Sequence, residues 1–181
     1  QIDNVYIAGY THNGNNTDYL VIKYDQAGNI IWTKKFDAGQ NERALGIAVD
    51  NTGCIYVTGS RYLWRYGGWF VFGTYDWDIC TLKYDANANL IWSRDYNRLN
   101  FIASRMLNTT DEYAYAVEID SLGIIHIVGY SEVNAQNYIQ PDSMNYYSLY
   151  LKYDASGNSL SASTYGSGEM HGRYTGLAVM A

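Results

Sequence analysis

Short runs of apolar residues, or of apolar residues alternating with polar ones, recur along the whole chain. They are about 5–8 residues long, and Gly, Asn and Asp residues separate them. No run shows the period of about 3.6 residues that is typical of an amphipathic helix. The pattern therefore predicts an all-β protein made of short strands joined by tight turns.

The predicted strands belong to a unit that occurs three times. A strand rich in small residues opens the unit at 46–50, 116–120 and 176–180. The second strand occupies 55–59, 125–129 and 5–9. The third strand ends in Lys-Tyr-Asp, at 23–25, 83–85 and 152–154. The fourth is clear at 29–32 and 89–92 and degenerate at 158–161. Such a repeat predicts one four-stranded antiparallel sheet for each copy.

The order Gly-Ile-Ala-Val-Asp, turn, Ile-Tyr-Val-Thr-Gly, loop, Lys-Tyr-Asp, turn, Gly-Asn-x-x-Trp resembles the bacterial and archaeal β-propeller repeat called SBBP. That repeat is akin to the NHL-type propeller blade. The resemblance covers nearly the whole chain and implies a β-propeller of four-stranded antiparallel blades. It places the small-residue strand innermost, along the central channel, and the Trp-bearing strand outermost. It implies little about activity, because a fold does not fix a function.

The strands amount to three blades' worth per chain. One blade spans 44–96, another spans 114–165, and a third is split between 176–181 and 5–36. Because of this split, a C-terminal strand is predicted to pair with an N-terminal strand and so complete the third blade. The residues expected to meet there are Val5, Tyr6, Ile7, Leu177, Ala178 and Val179.

Three blades are too few for a ring, because propellers typically have about 4–8. In one interpretation, two chains close a six-bladed ring by self-association through their terminal strands, or an open head-to-tail polymer forms instead. In the other, the chain is a fragment of a longer propeller. Both remain open at the level of sequence.

Composition and charge narrow the choice of partner and location. The net charge of −6 argues against nucleic acid and anionic membranes, which favour basic surfaces. No apolar run is long enough to span a membrane. Gln1 at the start of the chain is compatible with processing, so we expect a secreted or cell-surface protein. Cys54 and Cys80 match no disulfide framework or metal motif. Aligning Gly59 with Trp77 makes the two cysteines a diagonal pair about 7 Å apart at Cα, which is marginal for a disulfide, so two buried thiols are expected.

The longest predicted connection, residues 60–76, is rich in aromatic side chains. It lies with 97–112 and 131–146 on one predicted face of the disc, where variable loops commonly bind partners. The candidate ligand or partner contacts are Tyr62, Trp64, Arg65, Tyr66, Trp69 and Phe70. These rings suit a sugar or a protein surface. Alternatively, Gly67 and Gly68 form the tip of a hairpin that buries its own aromatic residues.

Other candidate site residues are fewer. Glu118 stands where the other inner strands carry Ala48 and Ala178, so it is predicted to face the channel, as an acid, a cation ligand or a solvated residue. His126 lies mid-strand with no visible partner, which indicates a structural role. Residues 13–18 carry oxygen ligands at short spacing, but turn chemistry explains them better than calcium binding. No cofactor, metal or catalytic residue is predicted.

The sequence therefore favours a non-enzymatic extracellular binding or assembly module on a β-propeller scaffold. Its contact surface would be the long aromatic loops on one face. The alternative is a carbohydrate-acting enzyme or a lectin-like sugar binder, with its site on the long-loop face or in the central channel. No nucleophile elbow, phosphate loop or zinc spacing supports an enzyme.

Overall fold

The computed structural model describes residues 4–65, 74–98, 109–137 and 140–166 of the chain. These residues form three antiparallel sheets. The first contains β1 (Val5–His12), β2 (Thr17–Tyr24) and β3 (Ile30–Phe36). The second contains β4 (Glu42–Val49), β5 (Ile55–Arg65), β6 (Thr74–Tyr84) and β7 (Leu90–Tyr96). The third contains β8 (Thr109–Ile119), β9 (Ile125–Asn137), β10 (Gln140–Tyr153) and β11 (Ser159–Tyr165).

Each sheet is a meander in which strands adjacent in sequence are also adjacent in space. The described residues contain no helix, so the all-β prediction is confirmed for them. These ranges therefore include no helix that is long and apolar enough to cross a membrane. Leu177, Ala178 and Val179, the predicted partners of Val5, Tyr6 and Ile7, lie outside the described residues.

The repeated aspartate of Lys-Tyr-Asp fixes the turn that follows it. Asp25 Oδ1 accepts a hydrogen bond of 2.8 Å from the backbone N–H of Asn29, and its other oxygen accepts one from the side-chain amide of Asn29. Asp85 and Asp154 repeat both contacts. These bonds favour the charged carboxylate and lower its pKa in all three turns. The repeated aspartate therefore caps its turn in all three sheets.

Two apolar clusters hold consecutive sheets together. The cluster between the first and second sheets includes Tyr19, Val21, Val57 and Leu82. The cluster between the second and third includes Ile79, Ile127 and Leu151 along with Trp92. Most of these side chains are almost fully removed from water, so burial of apolar area stabilises the order of the sheets.

The prediction that residues 60–76 and 131–146 are long loops is wrong for 60–65, 74–76, 131–137 and 140–146, which belong to strands. Strands β5 and β6 continue pairing out to Arg65 and Thr74, and β9 and β10 continue to Asn137 and Gln140. Aromatic and β-branched residues favour extended backbone and pack across the strands, so the hairpins lengthen where loops were expected. Residues 109–112 of the third connection likewise belong to β8.

The predicted register of the two cysteines is also wrong. Gly59 pairs with Cys80 rather than with Trp77, because the β5–β6 hairpin is longer than the sequence suggests. Cys80 is fully buried, whereas Cys54 is partly exposed, and both thiols are free.

Candidate binding site

A ladder of aromatic rings runs along the β5–β6 hairpin. Tyr62 stacks on Tyr75 with ring centroids 5.0 Å apart and packs on Trp77 at 5.2 Å. Trp64 packs on Tyr75 at 4.8 Å. The rings meet because directly opposed and diagonal residues share one face of an antiparallel pair. Trp64 still leaves 53% of its surface exposed, so the outer end of the ladder is accessible to a partner.

The ladder accounts for part of the contact surface predicted from sequence. Tyr62 and Trp64 lie on it, and Arg65 ends β5. Tyr66, Trp69 and Phe70 lie outside the described residues. The described part agrees with the hairpin alternative, in which these aromatic residues pack on one another.

A cavity of about 400 Å³ lies where the second and third sheets meet. Trp77 connects it to the ladder, with its ring 6.1 Å from that of Tyr113. We call it the tyrosine pocket. Its lining residues are Tyr10, Arg43, Leu45, Ser60, Tyr113, Tyr115, Tyr130 and Glu132. They come from β1, β4, β5, β8 and β9, so the pocket depends on the packing of all three sheets.

Three tyrosines form the stacked wall of the tyrosine pocket. Tyr130 lies between the other two, with centroid distances of 4.9 Å to Tyr113 and 5.6 Å to Tyr115. The interplanar angles are 21° and 23°. Burial raises the pKa of Tyr113 above its ordinary range, so this hydroxyl stays protonated at neutral pH. The wall offers flat apolar rings next to hydroxyl donors.

A β-bulge in each of two strands turns one side chain toward the tyrosine pocket. Leu45 is the extra residue in β4, since Ala44 pairs with Gly59 and Gly46 with Thr58. Tyr115 is the extra residue at the corresponding position of β8. Bulges commonly re-aim side chains beside functional sites. Both bulges therefore supply lining residues that regular strands would point elsewhere.

Each bulge requires a glycine on the facing strand. A Cβ atom on Gly59 would lie 2.0 Å from the carbonyl oxygen of Arg43. On Gly129 it would lie 1.9 Å from the carbonyl oxygen of Tyr113. Only a residue without a side chain permits this approach, so the two glycines are part of the construction of the pocket.

One positive and one negative side chain border the tyrosine rings. The Arg43 guanidinium lies 5.7 Å from the ring centre of Tyr10 and 5.1 Å from that of Trp77, within range of a cation–π interaction. Glu132 accepts a long hydrogen bond of 3.4 Å from the hydroxyl of Tyr146. The pocket thus combines ring faces with charged hydrogen-bonding groups at its border.

Two glutamates are fully buried at equivalent positions near the starts of β4 and β8. Glu42 and Glu112 are both 0% exposed. Burial raises the pKa of each from an ordinary value of 4.5 to about 7, because a charged carboxylate is disfavoured away from water. Ser131 donates a hydrogen bond of 2.9 Å to Glu112. Sequence reasoning did not single out either residue, although the repeat places Glu at both positions.

The remaining predicted residues lie away from the tyrosine pocket. Glu118 is exposed on β8 and sits opposite His126 in register. The sequence shows no Cys, His or Asp partner set for His126, but the structure supplies an aspartate: His126 Nε2 lies 2.9 Å from an Asp120 carboxylate oxygen, and its Nδ1 lies 2.6 Å from the Tyr150 hydroxyl. These contacts orient the imidazole ring within the sheet.

Residues 13–16 form the turn that the sequence predicts. The side-chain oxygen of Asn13 accepts hydrogen bonds from the backbone N–H groups of Asn15 and Asn16 at 2.9 and 3.1 Å. The amide nitrogen of Asn13 donates to both oxygens of Asp18. This turn places the Asp18 carboxylate at the start of β2.

Comparison with known proteins adds no family to this description. No protein-family model matches the chain, and no curated protein matches it.

Proposed function

We propose that this chain is a non-enzymatic, secreted or cell-surface binding module in which the three sheets are consecutive blades of a β-propeller. Its contact surface is the tyrosine pocket together with the adjoining aromatic ladder. The observation that carries the proposal is the wall formed by Tyr113, Tyr115 and Tyr130, bordered by Arg43 and Glu132. The volume of the pocket, about 400 Å³, lies within the range of small-ligand sites.

The chemistry of the tyrosine pocket favours a sugar ring as ligand. Flat tyrosine faces suit the apolar face of a sugar, while Arg43, Glu132 and Ser60 supply hydrogen-bonding groups for its hydroxyls. A lectin-like role therefore deepens the proposed binding function, with a glycan as the partner.

A carbohydrate-acting enzyme is less well supported. Glycosidases commonly use two carboxyl groups that flank the bond they cleave. Among the residues that line the tyrosine pocket, Glu132 is the single carboxylate. Glu112 is fully buried, and Glu118 is not part of the lining. The arrangement favours binding without turnover.

A glycan array followed by titration of the best ligand tests this function. We expect Tyr115→Ala to weaken binding about fivefold or more, because a stacked ring contributes roughly 1 kcal/mol or more at such a site. Tyr24→Ala is the matched control, since this partly exposed ring lies on β2, outside the tyrosine pocket and the aromatic ladder. A glycosidase screen on the same ligands completes the experiment, with Glu118→Ala as a second variant.

The outcomes separate the alternatives. Glycan binding that Tyr115→Ala weakens and both other variants retain supports the proposal. Equal binding by Tyr115→Ala and the unmodified chain, or an array without any bound glycan, contradicts it. Turnover that Glu118→Ala abolishes contradicts it in favour of an enzyme.

We further propose that the chain self-associates, because the first sheet exposes a face that its counterparts bury. Val5 and Ile7 are 54% and 48% exposed. Their equivalents in the other two sheets are each 0% exposed: Ile55, Val57, Ile125 and Ile127. Those equivalents are covered by a preceding sheet of the same repeat. A second copy provides such a sheet, and a groove of about 330 Å³ across β9, β10 and β11 offers the facing surface.

A further inference from the structure

Three carboxylates converge where the first sheet joins the second. Asp18 is the second residue of β2, Asp37 directly follows the end of β3, and Glu42 is the first residue of β4. One oxygen from each lies within 4.8 Å of the others. Asp18 is 3% exposed and Glu42 is 0% exposed, whereas Asp37 faces solvent. Gathering three acidic groups with two of them out of water is unfavourable unless a proton or a cation offsets part of the negative charge.

The buried glutamate of this cluster has an unsatisfied oxygen. Glu42 Oε1 accepts a long hydrogen bond of 3.3 Å from the backbone N–H of Gln40. Within the described part of the chain, Glu42 Oε2 has no hydrogen-bond partner, although it is removed from solvent. Buried polar atoms are rarely left in this state, so the oxygen is available to a ligand that would complete the cluster.

The positive side chain that acts on Glu42 is shared with a carboxylate outside the cluster. Arg61 is directly opposite Glu42 in the β4–β5 register, but its guanidinium donates to the carboxylate of Asp95. Asp18 accepts hydrogen bonds of 3.0 and 3.2 Å from the neutral amide of Asn13. Asp37 accepts one of 2.7 Å from the backbone N–H of Gly39. These bonds orient the carboxylates without supplying a positive charge.

The next junction in the repeat differs from the first in its third group, although Glu112 Oε2 is buried without a hydrogen-bond partner there too. There the positions of Asp18 and Glu42 are occupied by Asp78 and Glu112, but Asn97 replaces Asp37. The amide nitrogen of Asn97 donates to Asp78 at 2.7 Å and to Asp76 at 3.2 Å. The third group of the second junction is thus a hydrogen-bond donor to Asp78. At the first junction the equivalent group is a carboxylate, which can only accept.

We propose that Asp18, Asp37 and Glu42 form a calcium site that clamps the first sheet to the second. All three ligands are hard oxygen donors, and no nitrogen or sulfur ligand belongs to the cluster, which favours calcium or magnesium over zinc. Calcium binds oxygen at about 2.3–2.6 Å, so two of its ligands lie up to about 5 Å apart, as the cluster requires. Magnesium needs shorter distances and a more regular octahedron.

Calcium titration of the full chain tests the site, with thermal unfolding in calcium or in EDTA as a second readout. We expect calcium to raise the melting temperature by several degrees, because a ligand that binds only the folded state stabilises it. Asp37→Asn should abolish both the shift and the heat of binding. Since Asn occupies the equivalent position of the second junction, this variant is expected to fold. Glu118→Gln is the control, because it removes the same charge from an exposed position.

The result that would overturn the proposal is a calcium response that is absent in the unmodified chain or unchanged in Asp37→Asn. An equal response to magnesium would overturn the assignment of calcium. If Asp37→Asn does not fold, Glu42→Gln takes its place with the same expected loss. The site is separate from the tyrosine pocket, so failure here leaves the binding function intact.

Discussion

At the scale of single residues, the buried glutamates illustrate how tertiary position changes chemistry. Glu112 and Glu118 are six positions apart on the same strand, yet one is fully buried and the other is exposed. Burial is the main cause that raises the pKa of Glu112 to about 7, and the negative charge of nearby Asp76 raises it further. A side chain that is ordinary in sequence thus becomes a group that titrates near neutral pH.

The first prediction concerns the pH dependence of stability. Folded Glu112 keeps its proton up to about pH 7, whereas in the unfolded chain it loses the proton near its ordinary value of 4.5. The folded state therefore binds more protons between these values, so the free energy of unfolding falls as the pH rises from about 4.5 to 7 and levels off above that. We expect Glu112→Gln to remove on the order of 2–3 kcal/mol of this decrease.

Urea unfolding of both proteins at several pH values measures this difference. Glu118→Gln is the control, because its exposed carboxylate should leave the slope unchanged. Parallel stability curves for the unmodified chain and Glu112→Gln between pH 4.5 and 7 would refute the prediction.

At the scale of elements, the bulged strands decide where the tyrosine pocket forms. In β8 the bulge at Tyr115 brings the carbonyl of Tyr113 so close to Gly129 that a methyl group does not fit. The same arrangement recurs in β4, where Leu45 is the extra residue. The same combination of a bulge and a facing glycine therefore occurs in two sheets.

Gly129→Ala is expected to destabilise the protein by about 2 kcal/mol or more, because a Cβ atom 1.9 Å from a carbonyl oxygen forces the strands apart. Gly9→Ala is the matched control. Gly9 occupies the equivalent position of the first sheet, and a Cβ atom there meets nothing within 4 Å. Denaturant unfolding of the three proteins provides the measurement. A loss of stability no larger for Gly129→Ala than for Gly9→Ala would show that the bulged strands accommodate a methyl group, against the prediction.

At the scale of the whole molecule, the three sheets form a stack whose two outer faces differ from the inner ones. The inner faces bury Ile55 and Val57 against the first sheet and Ile125 and Ile127 against the second. The outer face of the first sheet presents the equivalent residue Ile7 at 48% exposure. This exposed apolar face is the observation on which the proposed self-association rests.

Light scattering tests the proposed self-association. A two-chain ring predicts a mass about twice the 20.5 kDa of one chain. Ile7→Asp should reduce it to that of one chain, because a charge buried in the interface is costly. Ile31→Asp is the control: Ile31 is 49% exposed, and its equivalent Ile91 is 50% exposed in a sheet that has both neighbours. A mass near 20.5 kDa for the folded, unmodified chain would contradict the two-chain ring.

The sequence by itself determined the strands, the all-β class and the capped turns, because these depend on neighbours within a few residues. The alternation at 78–82 and the Asp85 turn are local features of this kind. It did not determine the length of the hairpins, because continued pairing beyond residue 60 depends on rings meeting across the strands. Local pattern therefore gives the elements but not their full extent.

Only the tertiary structure decided where the chemistry lies. Tyr10, Arg43 and Glu132 are far apart in sequence and meet in one pocket because three sheets pack in order. Asp18 and Glu42 likewise converge across a junction between sheets. Such groupings depend on inter-sheet packing and on a one-residue bulge, and neither leaves a periodic trace in the sequence. The physical reason is that burial and contact are properties of the assembled sheets rather than of any single strand.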